Sequence, residues 1–371
     1  MSVKEISSLL ATHPAVFAVD REYQIMMPVE REMLVSVKCG GEEYFDDSNG
    51  IIRSKCAIHR ICVPMEVLDT AKEYTVCCRP IIDRKPYFPE TEPVQEYVYS
   101  FRPLTKTTDI RIAHLSDTHG MVKEPVAAAQ NMGELDLLVM GGDTADHSGS
   151  EENMTVLYRI VSGVTGGEIP CVFSRGNHDL RGYLAERLEQ YTPNSLGRSY
   201  FTFRVGCIWG IVLDCGEDKE DRHDEYGHTV CCHAFRKRET KFLEQVIANA
   251  QEEYDADGVK YRLVLAHNPF TNTFEPPFDI EFDLYGDWVR LLREDVKPHL
   301  MLCGHRHINE VWMPGDEQDV HGQQWPVVIS SIPDKTAATF IGASVVLGEN
   351  EATVEFVDNA ANACDKRVLK L

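Results

Sequence analysis

No segment of the 371-residue chain approaches the roughly 20 consecutive apolar residues that a membrane-spanning helix requires. The opening residues, MSVKEISSLLATHPAVFAVD, have no basic n-region, no sustained apolar core and no small-residue cleavage site, so a secretory leader is not expected. No internal repeat or low-complexity tract stands out. Positive charge is scarce: 37 Lys+Arg face 59 Asp+Glu, a formal net charge of −22. Residues 1–105 hold 12 Lys+Arg and 16 Asp+Glu, net −4, which leaves −18 of the −22 for residues 106–371. Polymeric nucleic acid is therefore disfavoured as a substrate, because its affinity comes from cations neutralising phosphates. A small phosphate ester is not excluded, since the field beside bound cations outweighs the global sum. Nothing points to a membrane or to a particular protein partner.

Twelve cysteines are present, but they are scattered, and Cys77-Cys78 and Cys231-Cys232 are adjacent pairs that do not easily reach disulfide geometry with each other. Free thiols in a reducing, cytoplasmic setting are the better reading. Hydrophobic residues at 43% and charged residues at 26% fit an ordinary globular chain of two or three domains.

Residues from about 12 to 104 read as β-rich, with alternation in MLVSVKC, HRICVPM, EYTVCCRPII and EYVYSFRPL. Short strands between turn residues suggest a small sandwich over 1–105. Its modest charge and the lack of an obvious aromatic cluster favour structural support over a binding module. The polar stretch PLTKTTD (103–109) is the expected linker. Beyond it, strands alternate with helical patterns, which argues for an α/β layer architecture over 106–371. Two irregular inserts, DCGEDKEDRHDEYGHTVCCH (214–233) and NPFTNTFEPPFDIEFDLYGDW (268–288), are candidate pocket walls, the first a candidate lid.

Five short segments carry residues able to bind metal: Asp117-Thr118-His119, Gly142-Asp143, Gly176-Asn177-His178-Asp179, His267, and Gly304-His305-Arg306-His307. Each follows an apolar, β-branched run of the kind that makes a buried parallel strand, and sites in such sheets gather beyond the carboxyl ends of the strands. Nitrogen and oxygen donors together suit Mn, Fe, Zn, Co or Ni better than an all-oxygen Mg or Ca cage.

In this order, the segments resemble the signature of the calcineurin-like metallophosphoesterases: D-x-H, G-D, G-N-H-D, H, G-H-x-H. The resemblance implies a two-sheet αββα sandwich and a hydrolase with two metal ions, here most simply Mn, Fe or Zn. One metal would be held by Asp117, His119, Asp143 and His307, the other by Asp143, Asn177, His267 and His305. A hydroxide bridging the pair would be the nucleophile. His178 would serve the leaving-group oxygen, with Asp179 fixing its tautomer. The sandwich over 1–105 loosely resembles the fibronectin type III-like domains that precede the catalytic domain in relatives of the purple acid phosphatases.

Departures narrow the family. Purple acid phosphatases have D-x-G and a tyrosine ligand where this chain has His119 and Asp146. Serine/threonine phosphatases carry Arg where this chain has His147. The substrate implied is a small or medium phosphate ester, and the motifs leave phosphomonoesters and phosphodiesters, cyclic nucleotides included, both open. A non-catalytic scaffold of the same fold is the third reading, opposed by the complete ligand set. Arg175 and Arg181, flanking the motif in RGNHDLRG, are candidate phosphate clamps or surface salt-bridge partners. His228, with His223 and His233, is a candidate substrate contact or part of a solvated loop.

Overall fold

The computed structural model describes residues 8–371. Two β-sheets lie face to face. The larger has at its centre three parallel strands, Ile110–Leu115, Leu137–Met140 and Pro170–Phe173. On one side it continues antiparallel through Thr339–Leu347, Glu351–Asp358 and Ala363–Lys370. The smaller has six strands, in the order Phe201–Val205, Ile208–Val212, Tyr261–Leu265, Leu300–Cys303, Val327–Ile329 and Glu310–Trp312.

Alternation within single strands decides which core each residue enters. Leu263 and Leu265 face the core between the sheets, as do Leu300, Leu302 and Val328. Val264 and Ala266 face outward with Met301, Cys303, Val327 and Ile329, into a second core under the helices Cys232–Ala248 and Phe282–Leu291. The helices Lys123–Asn131 and Glu151–Thr165 cover the outer face of the larger sheet. The result is the helix–sheet–sheet–helix sandwich expected. Glu151–Thr165 shows how locally its ends are set: Ser150 Oγ accepts the Asn153 N–H at 3.2 Å, Glu151 and Glu152 face the positive end of the dipole, and Gly166 closes the helix at φ 59°.

The N-terminal region is built of β-strands apart from the short helix Met65–Ala71, and it forms two layers. Met33–Cys39, Glu42–Phe45, Glu73–Asp83 and Gln95–Ser100, with the short strand Glu90–Thr91 paired to Glu73–Asp83, make one sheet. The other layer, Ala15–Val19, Glu22–Pro28 and Ile58–Pro64, is not separate: Ala15–Val19 pairs in parallel with Pro170–Phe173. The ten-stranded sheet therefore crosses residue 105. Buried contacts reinforce the junction, with Tyr74 Oη donating to the Gly167 carbonyl at 2.9 Å and the Tyr158 ring meeting that of Phe17 edge-on at 6.1 Å. Against expectation, this region does present aromatics, since Tyr87 and Phe88 stand 80% and 90% exposed on a turn.

The segment GYLAERLEQY, helical by pattern, forms only a kinked 3-10 stretch over Ala185–Gln190. Among the described residues no helix is long and apolar enough to cross a membrane.

Candidate metal centre

All five motifs sit just past strand ends on one edge of the two sheets, as the strand rule requires. The turns are tight. Asp117, His119, Asp143, His305 and His307 all have positive φ, between 46° and 70°. Such backbone costs roughly 1–3 kcal/mol per residue and clusters at functional sites, where it aims side chains that an ordinary strand would point elsewhere. Glycine is required beside them. A Cβ on Gly142 would lie 2.5 Å from the Gly176 nitrogen, and one on Gly304 would overlap Ser116 and the Asp117 carboxylate.

The seven expected ligands converge. Nε2 of His119 lies 3.0 Å from Nε2 of His307, which is 3.3 Å from the Asp117 carboxylate. Asp143 Oδ2 is 3.2 Å from His267 Nε2, and Asn177 Oδ1 is 3.1 Å from His305 Nδ1. Donor atoms of Asp117, His119 and His307 lie within 4.8 Å of one another, and so do those of Asp117, Asp143 and His267, and those of His119, Asp143 and His178. Asp143 thus stands beside both halves of the set. The carboxylates are held in place by backbone: His305 N donates to Asp117 at 2.9 Å, and His178 N to Asp143 at 2.8 Å.

The electrostatics fit a cation. Asp117 and Asp143 are buried, which alone would raise their pKa values, yet His267 and its neighbours hold both below the ordinary carboxylate range. Conversely, burial opposes charge on His267, but Asp143 and Asp117 push it up to about 10. Two buried carboxylates thus draw a proton onto a histidine whose Nε2 has no well-aligned hydrogen bond, a position a metal ion would take by displacing that proton. His305 is driven down to about 4 by burial and by His267, and so is kept neutral, as a ligand must be.

Other expected residues are placed differently. His178 is half-buried, with its ring 4.8 Å from that of His119, but Asp179 does not orient it. Nδ1 of His178 meets the Asp146 carbonyl at 2.9 Å. Asp179, buried, instead accepts from Gly176 N at 2.9 Å and Asp143 N at 3.1 Å, because its carboxylate turns back under its own loop. Arg181 is spent on carboxylates: Nε and Nη2 make a fork with Glu217 at 2.9 and 2.8 Å, and Nη1 reaches Glu225 at 3.2 Å. Arg175 pairs with Asp214. His228 is exposed on the 214–233 loop.

That loop is not a solvated lid throughout. Asp214, Cys215, Glu217, Asp218 and Lys219 are buried, held by the 1% exposed Arg236, which donates to the Cys215 carbonyl at 2.7 Å and to that of Glu217. It does reach the centre, with Asp218 Oδ2 3.8 Å from His305 Nε2. The second insert meets it there, as Asn268, Phe274 and Phe278 line a narrow recess together with Asp218 and His305.

Asp146 was not among the expected site residues. Its carbonyl fixes His178, its carboxylate lies 3.3 Å from His119 Nδ1, and Lys335 pins that carboxylate at 2.7 Å. The signal was present as the second aspartate of Gly142-Asp143-Thr144-Ala145-Asp146, whereas Lys335 comes from a distant turn with no motif.

The chain belongs to the calcineurin-like phosphoesterase family, whose model matches residues 110–309, more than half of it. It is a hydrolase acting on phosphoester bonds, with a metal-binding centre. No curated protein matches the sequence. Among solved structures it is similar to the purple acid phosphatase of yellow lupin (Lupinus luteus), at TM-score 0.60 and 12% identity, covering 96% of this chain and 74% of that one. It is also similar to PhoD, at TM-score 0.54 and 11% identity, covering 99% and 90%. Identities this low establish a shared fold.

Proposed function

We propose that the chain is a two-metal phosphoesterase acting on a small or medium phosphate ester. The convergence of Asp117, His119, Asp143, His267 and His307, with His305 beside His267 and Asn177 against His305, carries this reading. Asp117, His119, Asp143 and His307 would hold one ion, and Asp143, Asn177, His267 and His305 the other. When bound, such a pair neutralises charge on phosphoryl oxygens and supplies a nucleophile near neutral pH. The protein's part is positional. Backbone N–H groups and strained turns hold the carboxylates, and the Asp146 carbonyl directs the outer nitrogen of His178 toward the leaving-group side, where it can deliver a proton. Arg175 and Arg181, both paired with carboxylates, leave phosphate neutralisation to the centre itself.

Residues 1–105 form the fibronectin type III-like unit in this reading, supported by the division of its longer strands between a five-stranded sheet and a three-stranded layer, and 106–371 the catalytic unit, onto whose sheet that three-stranded layer is paired. A cytoplasmic setting is supported by twelve cysteines that are all unpaired. The test is a turnover panel of phosphomonoesters and diesters, cyclic nucleotides and an aryl phosphate included, on protein reconstituted separately with Mn, Fe and Zn. Hydrolysis that scales with bound metal supports the reading, and the panel ranks the ester types. Two ions bound with no ester turned over would make the chain a scaffold.

A further inference from the structure

A second concavity lies beside the Gly176-Asn177-His178 turn, where Arg175, Arg198 and Arg238 converge on a cavity of about 220 Å³ that Glu189, Asn194 and Ser199 also line. With three arginines and one glutamate, this lining is formally net +2, or +1 once the carboxylate that pairs with Arg175 is counted, in a chain of net −22. Arg175 is neutralised by Asp214. Among the described residues, no carboxylate lies within salt-bridge distance of Arg198 or Arg238, acidic as the chain is. Asp20 acts on Arg198 only from behind Ser195, whose Oγ it binds at 2.6 Å.

Both guanidiniums lie against aromatic rings. Arg198 lies over Tyr200 at 5.6 Å and over Phe242 at 5.8 Å, and donates to Ser195. Arg238 lies over Phe235 at 5.7 Å, which also carries Arg175 at 5.3 Å. Stacking on a ring holds a guanidinium while leaving N–H groups at its edge for a planar or tetrahedral oxyanion. Low-dielectric walls focus the resulting field into the cleft. The volume suits a compact anion with a little water rather than a drug-sized ligand.

We infer that Arg198 and Arg238, with Arg175 behind them, form an oxyanion site distinct from the metal centre, which takes a phosphate or pyrophosphate group. The inference does not rest on the proposed activity. Calorimetric titration of the purified full chain with inorganic phosphate and with pyrophosphate tests it, using Arg198→Gln, Arg238→Gln and the double variant. Two binding events are expected, one at the metal centre that His305→Ala removes, and one that persists in His305→Ala and weakens by about tenfold or more in the double variant, the loss appropriate to charge-assisted hydrogen bonds. If the centre binds no anion, the arginine-dependent event stands alone. Binding indifferent to the arginine variants, binding wholly abolished by His305→Ala, or no binding of either anion at millimolar concentration would overturn the inference. Arg238 is exposed and stacked on one side only, so Arg238→Gln alone carries the test should the Arg198 variant unfold.

Discussion

At the scale of single residues, the proposed two-metal centre depends on one shared charge. Asp143 stands beside His119 on one side and His267 on the other. Asp143→Asn is therefore expected to lose most metal from both positions, whereas His267→Ala empties mainly one. Elemental analysis of the purified variants distinguishes these, and near-full occupancy in Asp143→Asn would refute the sharing. On the proposed mechanism His178 behaves otherwise, because it supplies a proton rather than a ligand bond. His178→Ala should retain both metals while kcat falls by about 10² to 10⁴. The loss should shrink with acidic leaving groups, which depart without protonation. A deficit independent of leaving-group pKa would instead assign His178 to binding.

At the scale of elements, the strand ends bring the ligands together and the 214–233 loop walls them in. The buried half of that loop is tied to the helix Cys232–Ala248 by Arg236, which also pairs with Glu281 at 2.9 Å. Replacing Arg236 with Met keeps the bulk and removes the charge and its donors, leaving Glu281 without its buried cation. Breaking such a pair costs about 3–5 kcal/mol, so the melting temperature should drop clearly while metal content is retained at temperatures below the transition. An unchanged melting temperature would show the loop to be held by packing alone. Arg181, joined to Glu217 and Glu225, ties the same loop to the turn that bears His178.

At the scale of the molecule, the ten-stranded sheet makes the N-terminal region part of the catalytic body. Removing residues 1–105 would strip Ala15–Val19 from Pro170–Phe173, uncover fully buried side chains such as Val172 and Tyr158, and open a flat hydrophobic strand edge just before the Gly176 turn. Such edges aggregate. The fragment 106–371 is therefore expected to be insoluble or to lack a cooperative thermal transition by circular dichroism. A monodisperse, cooperatively melting fragment would show that the shared sheet is dispensable.

The sequence by itself determined which donor residues gather at the strand ends, and the layer architecture. Both rest on local physics: apolar runs choose buried strands, glycines permit close turns, and Asp117, Asp143, Asn177 and the histidines follow each run in order, so strand ends had only one place to meet. Tertiary structure decided what depends on distant partners. Asp179 and Asp146 both lie near His178 along the motifs, and only the folded turns show that the Asp146 carbonyl, not the Asp179 carboxylate, reaches its ring. Arg175 and Arg181 read from sequence either as phosphate clamps or as salt-bridge partners, and only the fold brings Asp214 and Glu217 to them. The pairing of Ala15–Val19 with Pro170–Phe173 was equally invisible, since backbone hydrogen bonds between strands more than 150 residues apart leave no periodicity in either one.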